Sequence, residues 1–275
     1  MSGLLEISAD EFEAKFGRES FGMRHTLTEH ELLTVESVAV LADKLPEVSV
    51  EHNKGNVPTV LASGEAATVD ATPGDIARNI DTNGCWMVLK HIEQVPEYHE
   101  LLDATLDELP SSVIDREGGT ILREGFVFLS APNSTTPAHT DHEHNFLLQV
   151  RGWKEMNVGK FSDRKVEQLH LEKIFAGGHR NMDRMPDDPT CYRLEPGDGV
   201  YVPPVAPHWV TNGPEVSVSL SITFRTPTSR RSEIVHGVNQ RLRKLRLSPK
   251  PPGENETSDR AKEALHRTAK TLLRR

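Results

Sequence analysis

Cysteine is nearly absent: Cys85 and Cys191 are the only two in 275 residues, and they stand far apart. Two such thiols build neither a disulfide framework nor a thiolate zinc site, which makes a reducing, cytoplasmic setting the expectation. Long apolar runs are missing too. Nothing approaches the ~20 apolar residues that cross a bilayer. The opening MSGLLEISADEFEAKFG carries acids where a secretory signal would be apolar, so neither membrane nor export is expected. Aromatic residues are scarce at 5%, while hydrophobic residues reach 36% and charged ones 27%, enough for a sizeable core under a solvated surface.

Positive charge is also thin over most of the chain. Residues 225–275 hold 14 Lys and Arg against 5 Asp and Glu, which leaves 18 bases against 36 acids for the other 224 residues. A chain that binds nucleic acid along its length would not be acidic over most of it, so nucleic acid is not an expected partner. The basic end is read as solvated faces of terminal helices.

Local signals divide the chain into three. Residues 1–118 read as helices with strands between them. Ser8-Ala9-Asp10-Glu11 and Thr28-Glu29-His30-Glu31 are capping boxes, the second ahead of an amphipathic run from Leu32 to Leu45. Thr72-Pro73-Gly74-Asp75 opens another helix, CWMVLK at 85–90 suits a strand, and 97–109 is helical in period. Residues 46–72 lack periodicity and read as loop with one strand. From 119 to 228 short strand-like runs alternate with turn residues, and VSVSLSITF has period two, with one face buried and the other facing a cavity. Residues 161–190 interrupt this stretch as a charged, partly helical excursion. Residues 229–275 read as basic helices: Ile234, Val238, Leu242 and Leu245 form one stripe, and Ala261, Leu265, Thr268 and Leu272 another, with SPKPPGENE between. The fold class is therefore mainly β with α decoration: a jelly-roll, cupin-like double-stranded β-helix core with N-terminal helices and strands and C-terminal helices.

Chemistry concentrates in TTPAHTDHEHNFLLQVRGWK, residues 135–154. On a strand, positions i and i+2 point the same way, so His139 and Asp141 can converge on one metal ion. His208, after PGDGVYVPPVAP, can approach from a neighbouring strand. Two histidines and one carboxylate make a facial triad that leaves positions open on iron(II).

These residues resemble the core of the JmjC or cupin-like iron(II)/2-oxoglutarate oxygenases, closest to the asparaginyl hydroxylase branch that acts on hypoxia-inducible factor. The resemblance covers roughly residues 120–225. It implies His139, Asp141 and His208 as metal ligands and also as the catalytic centre, with Fe(II) as cofactor, 2-oxoglutarate as cosubstrate and dioxygen as oxidant. Lys154 follows His139 by fifteen residues, as the family's 2-oxoglutarate lysine does, and Thr136 stands at the position of its assisting threonine. Asn145 matches the branch's active-site asparagine, and Thr223 stands where the branch has a second asparagine. The implied reaction is hydroxylation of a C–H bond in a peptide, protein side chain or amino-acid-like small molecule, with 2-oxoglutarate converted to succinate. Related hydroxylases dimerise through helices after the barrel, so a homodimer held by 229–275 is expected.

One alternative stays open. His142 and His144 form an H-x-H pair of opposite strand phase, and with His208 they could make a germin-type cupin metal site, an isomerase or binding module. Gly197, Pro203, His208 and Asn212 fit that pattern's second segment, but Phe146 to Gln149 offer no glutamate after His144.

Overall fold

The computed structural model describes residues 3–54 and 71–272. Twelve strands are formed among these residues: β1 (Leu5–Glu6), β2 (Phe21–His25), β3 (Val50–Lys54), β4 (Cys85–Lys90), β5 (Ile121–Ser130) and β6 (Thr135–Thr140), then β7 (His144–Arg151), β8 (Lys154–Lys160), β9 (Asp187–Leu194), β10 (Asp198–Val202), β11 (Pro207–Asn212) and β12 (Ser217–Arg225). Two antiparallel sheets result, one in the order β1-β2-β10-β7-β12-β5-β4-β3 and the other β6-β11-β8-β9. The architecture is the jelly roll expected.

Strand β12 shows why the sheets face each other. Val218, Leu220, Ile222 and Phe224 join the large core on the outer side of the eight-stranded sheet, while Ser217, Ser219, Ser221 and Thr223 turn to the inner side. A second apolar cluster draws Leu147, Val200 and Val202 from the eight-stranded sheet and Met156, Val158, Leu194 and Val210 from the four-stranded one, so it fills the space between them. The inner serines bond polar partners: Ser219 donates to Gln149 at 2.6 Å and Ser221 to Asn145 at 2.8 Å. The inside of the barrel is thus part apolar and part hydrogen-bonding, a lining that suits a small polar guest.

The large core is closed by helices from the first half: α1 (Ala9–Lys15), α2 (Val35–Lys44), α3 (Pro73–Arg78), α4 (Ile80–Asn83), α5 (Pro96–Leu106) and α6 (Ser111–Arg116). Ser8 caps α1 and Thr72 caps α3, each accepting a backbone N–H, as the Ser8 box and the Thr72-Pro73 helix start predicted. The second box does not open α2. Leu27 and Leu33 are buried, which bends 27–33 into two 3-10 turns, and Thr34 becomes the cap by accepting from Ser37. The single strand expected within 46–72 is β3, and residues 55–70 of that stretch lie outside the described residues.

After the strands come α7 (Arg164–Phe175), inside the charged excursion, then α8 (Pro227–Lys244) and α9 (Glu256–Leu272). Val235 and Val238 of α8 are buried, whereas Leu245 beyond its end is 72% exposed. Helix α9 packs in an unexpected sense. Its buried residues are Asp259 and Lys262, and Arg231 of α8 pairs with its Glu263 at 3.0 Å. Ala261, Leu265 and Thr268 of its stripe turn outward, with Leu265 60% exposed. Among the described residues no helix is long and apolar enough to cross a membrane.

Candidate metal centre

Strands β6 and β11 are antiparallel neighbours with His139 opposite His208, so their registration alone brings the two imidazoles together. The ring centroids are 4.2 Å apart. Each ring has its Nδ1 against a backbone carbonyl two residues back, His139 on Pro137 at 2.7 Å and His208 on Ala206 at 2.9 Å. A carbonyl only accepts, so both Nδ1 atoms carry a hydrogen, and Nε2 is the atom a neutral ring would offer to a metal. Asp141 Oδ2 lies 3.7 Å from Nε2 of His139 and 3.6 Å from Nε2 of His208. These three are the one cluster among the described residues whose His, Cys or carboxylate atoms come close enough to share a metal ion.

Protonation suits the donor set. Burial pushes His139 down to about 4, assisted by the neighbouring His208 and opposed by Asp141. Burial alone would raise the Asp141 carboxyl, but His139, His208 and Arg180 together hold it well below the usual carboxylate range. Neutral imidazole and ionised carboxylate are the forms a divalent metal needs, and the fit to iron(II) or a similar ion is direct.

Two contacts from elsewhere secure the aspartate. The Asp141 carbonyl accepts the N–H of Val205 at 2.8 Å, and Val205 has φ +62, a left-handed conformation unusual for a β-branched residue. The Asp141 Oδ1 accepts from Arg180 at 2.8 Å. Arg180 was not legible in the sequence, since it stands in the charged excursion among many other basic residues.

Lys154 begins β8, just past a turn at Gly152 with φ +64 where a Cβ would lie 2.5 Å from the Val216 carbonyl, so only glycine fits. Lys154 is 3% exposed and has no hydrogen-bond or ion-pair partner among the described residues. Burial pushes its ammonium down to about 7. It is opposite Asn212 on β11, four residues from His208, or about 13 Å along the strand at ~3.3 Å per residue. The lysine stem covers part of that span, and a five-carbon dianion covers the rest. Asn212 Oδ1 is itself buried without a hydrogen-bond partner among the described residues. Thr136 is opposite Val210 on the other side of β11, so Thr136 and Lys154 flank the same stretch of that strand. Asn145 and Thr223 are opposite each other on β7 and β12. Thr223 donates to the Glu124 carbonyl at 3.3 Å.

The H-x-H alternative is not assembled. The His144 ring lies parallel between Phe16 and Phe224, with centroids 4.6 and 5.0 Å away. Its Nδ1 accepts from the Tyr201 hydroxyl at 2.8 Å, which in turn accepts the Gly17 N–H at 2.9 Å. Burial pushes His144 to about 3. His142 packs on Phe175 instead, ring centroids 4.5 Å apart. Both belong to packing because strand alternation sends His144 to the outer face, away from His208. His144→Ala should therefore keep its metal stoichiometry while losing about 2–4 kcal/mol in urea unfolding, from the cavity and the orphaned Tyr201 hydroxyl. A folded variant with no bound metal would return His144 to the site.

Residues 113–232 match the family model for the JmjC domain. That stretch, somewhat under half of the chain, is similar to a JmjC domain. The match is to that domain at large and does not single out the asparaginyl hydroxylase branch. Comparison with curated protein sequences returns no match. Among solved structures, this chain is similar in fold to Escherichia coli YcfD, with TM-score 0.57 and 16% identity over 99% of this chain and 69% of that one. It is likewise similar to the ribosomal oxygenase YcfD from Escherichia coli in complex with cobalt and 2-oxoglutarate, with TM-score 0.55 and 15% identity over 98% of this chain and 68% of that one. The YcfD complex with cobalt and succinic acid gives TM-score 0.54 and 17% identity over 98% and 68%.

Proposed function

We propose that this protein is an iron(II)/2-oxoglutarate-dependent oxygenase that hydroxylates a C–H bond in a peptide, protein side chain or amino-acid-like molecule. The observation that carries the reading is a buried Lys154, without an ion-pair partner among the described residues, inside the same barrel as a His-Asp-His cluster. A metal-binding barrel alone has no use for a desolvated cation, whereas one that takes up a dianion does. YcfD, bound to cobalt with 2-oxoglutarate, supplies a precedent on this fold, and its description as a ribosomal oxygenase favours a protein substrate.

His139, Asp141 and His208 would hold the iron, and Lys154 with Thr136 would hold the far carboxylate of 2-oxoglutarate. When bound, iron(II) with 2-oxoglutarate and dioxygen supplies the oxidation, and 2-oxoglutarate leaves as succinate and carbon dioxide. The chain's own part is geometric and electrostatic. The Pro137 and Ala206 carbonyls keep both imidazoles in the ligating tautomer, and Asn145 and Thr223 offer polar groups on the opposite sheet. Purified protein with iron(II) should release succinate from 2-oxoglutarate even without substrate. No succinate from iron-loaded protein at millimolar 2-oxoglutarate would overturn the reading.

The outward stripe of α9 supports a homodimer, with a second copy covering Leu265 and its neighbours. Full-length protein should scatter light as a dimer at micromolar concentration, and Leu265→Glu, at an exposed position, should yield a folded monomer. A monomeric wild type removes the dimer. A cytoplasmic location accords with two cysteines that form no disulfide among the described residues, Cys85 buried and Cys191 exposed.

A further inference from the structure

Asp141 has two oxygens with different company. Oδ2 faces both imidazole Nε2 atoms, and Oδ1 is taken by Arg180. Arg180 reaches it from a segment that follows α7 and lies along β6, the edge strand of the smaller sheet. Met182 donates its N–H to the Ala138 carbonyl at 2.7 Å, Thr140 donates to the Arg180 carbonyl at 3.2 Å, and Asn181 bridges to His139. The excursion thus pairs with the stretch of β6 that carries His139 and leads directly into Asp141. Its register is what delivers the guanidinium to Oδ1.

A carboxylate turns easily about its last torsion, which is broad and two-fold. Nothing else among the described residues gives Oδ1 a side-chain cation. Two effects of Arg180 then compete. Its hydrogen bond keeps one oxygen aimed at the imidazoles, which favours metal uptake. Its charge repels a divalent ion, which opposes uptake. The Arg180 side chain is 52% exposed, so water screens the repulsion, whereas a hydrogen bond at 2.8 Å to a carboxylate that is only 20% exposed loses less to solvent. Positioning should win.

We propose that Arg180 is a positioning residue of the metal centre, holding Asp141 Oδ1 so that Oδ2 faces the two imidazoles. This rests on the reading of His139, Asp141 and His208 as metal ligands. The 161–190 excursion is then a clamp on the ligand-bearing edge strand as well as a surface insertion.

The test uses cobalt(II) as probe on the full chain, read by titration and by its ligand-field absorption, with no turnover needed. Arg180→Gln should bind cobalt 10- to 100-fold more weakly, the range for partners one step out from a metal. Its absorption should change, and the metal-free protein should melt near the wild-type temperature. Arg180→Lys, which keeps the charge but not the planar fork, should recover part of the affinity. Wild-type affinity and spectrum in Arg180→Gln would make the contact an incidental surface pair. Tighter cobalt binding would mean that repulsion dominates, and it overturns the proposal equally. Asp141→Ala run alongside separates the two readings. If it binds cobalt like wild type, the ligand assignment fails; if it loses cobalt while Arg180→Gln is unaffected, only the role of Arg180 fails.

Discussion

Asp141→Ala should bind iron(II) at least about 100-fold more weakly than wild type, beyond what loss of a partner one step out from the metal costs. The variant loses one of three donors, and it also loses the only carboxylate in the cluster. What remains facing the ion are two imidazoles and the Arg180 guanidinium, which no longer has its hydrogen-bonded carboxylate. Removing the carboxylate therefore takes the local charge from balanced to positive as well as lowering the donor count. Anaerobic iron titration with mass spectrometry of the native protein measures the effect, and undiminished binding sinks the ligand assignment. His142→Ala provides the contrast, because that ring packs against Phe175 and should leave metal content unchanged. Loss of metal in His142→Ala and His144→Ala, with Asp141→Ala unaffected, would instead favour the germin-type set.

Lys154→Ala should keep fold and iron but weaken 2-oxoglutarate binding by about 30- to 150-fold. The lost contact is a charge-assisted hydrogen bond in a dry site, about 2–3 kcal/mol. Lys154→Arg should not restore it, since the position is 3% exposed and a guanidinium is wider than an ammonium. Affinity should also depend on pH with a definite sign. Burial alone holds the free ammonium at about 7, so below that pH the cation is already present, and above it binding must take up a proton. Wild-type affinity should then fall as pH rises through about 7, by at most about tenfold per unit, and the fall should vanish in Lys154→Ala. The metal-to-ligand charge-transfer band of the anaerobic iron complex follows both effects. Equal affinity in wild type and Lys154→Ala would show that another base holds the cosubstrate.

Several features were open to reading from the chain because they depend on near neighbours in sequence. The Ser8 and Thr72 caps need three residues each, and the two faces of β12 need only its period of two. The spacing of His139, Asp141, Lys154 and His208 is likewise linear information, and it pointed to a cluster before any strand was placed. Where a local rule met a tertiary demand, the demand prevailed. Thr28 has the signature of a cap, yet burial of Leu27 and Leu33 moved the helix start to Thr34.

Other features had no local trace. The stripe of α9 was visible in the sequence, but which face α9 turns inward was decided by Arg231 and the buried Asp259 and Lys262, so its leucine faces out. His142 and His144 look as capable of ligation as His139 when written in a row. Strand phase and the aromatic rings around His144 make them packing residues. Arg180 and Val205 come to Asp141 from segments 39 and 64 residues away, through an edge pairing and a strained turn. Sequence by itself determined the residue types, their caps and their periodicity, because these act over a few bonds. Only the tertiary structure decided register, facing and the partners of Asp141, because a side chain's role depends on what another part of the chain brings within about 3 Å of it.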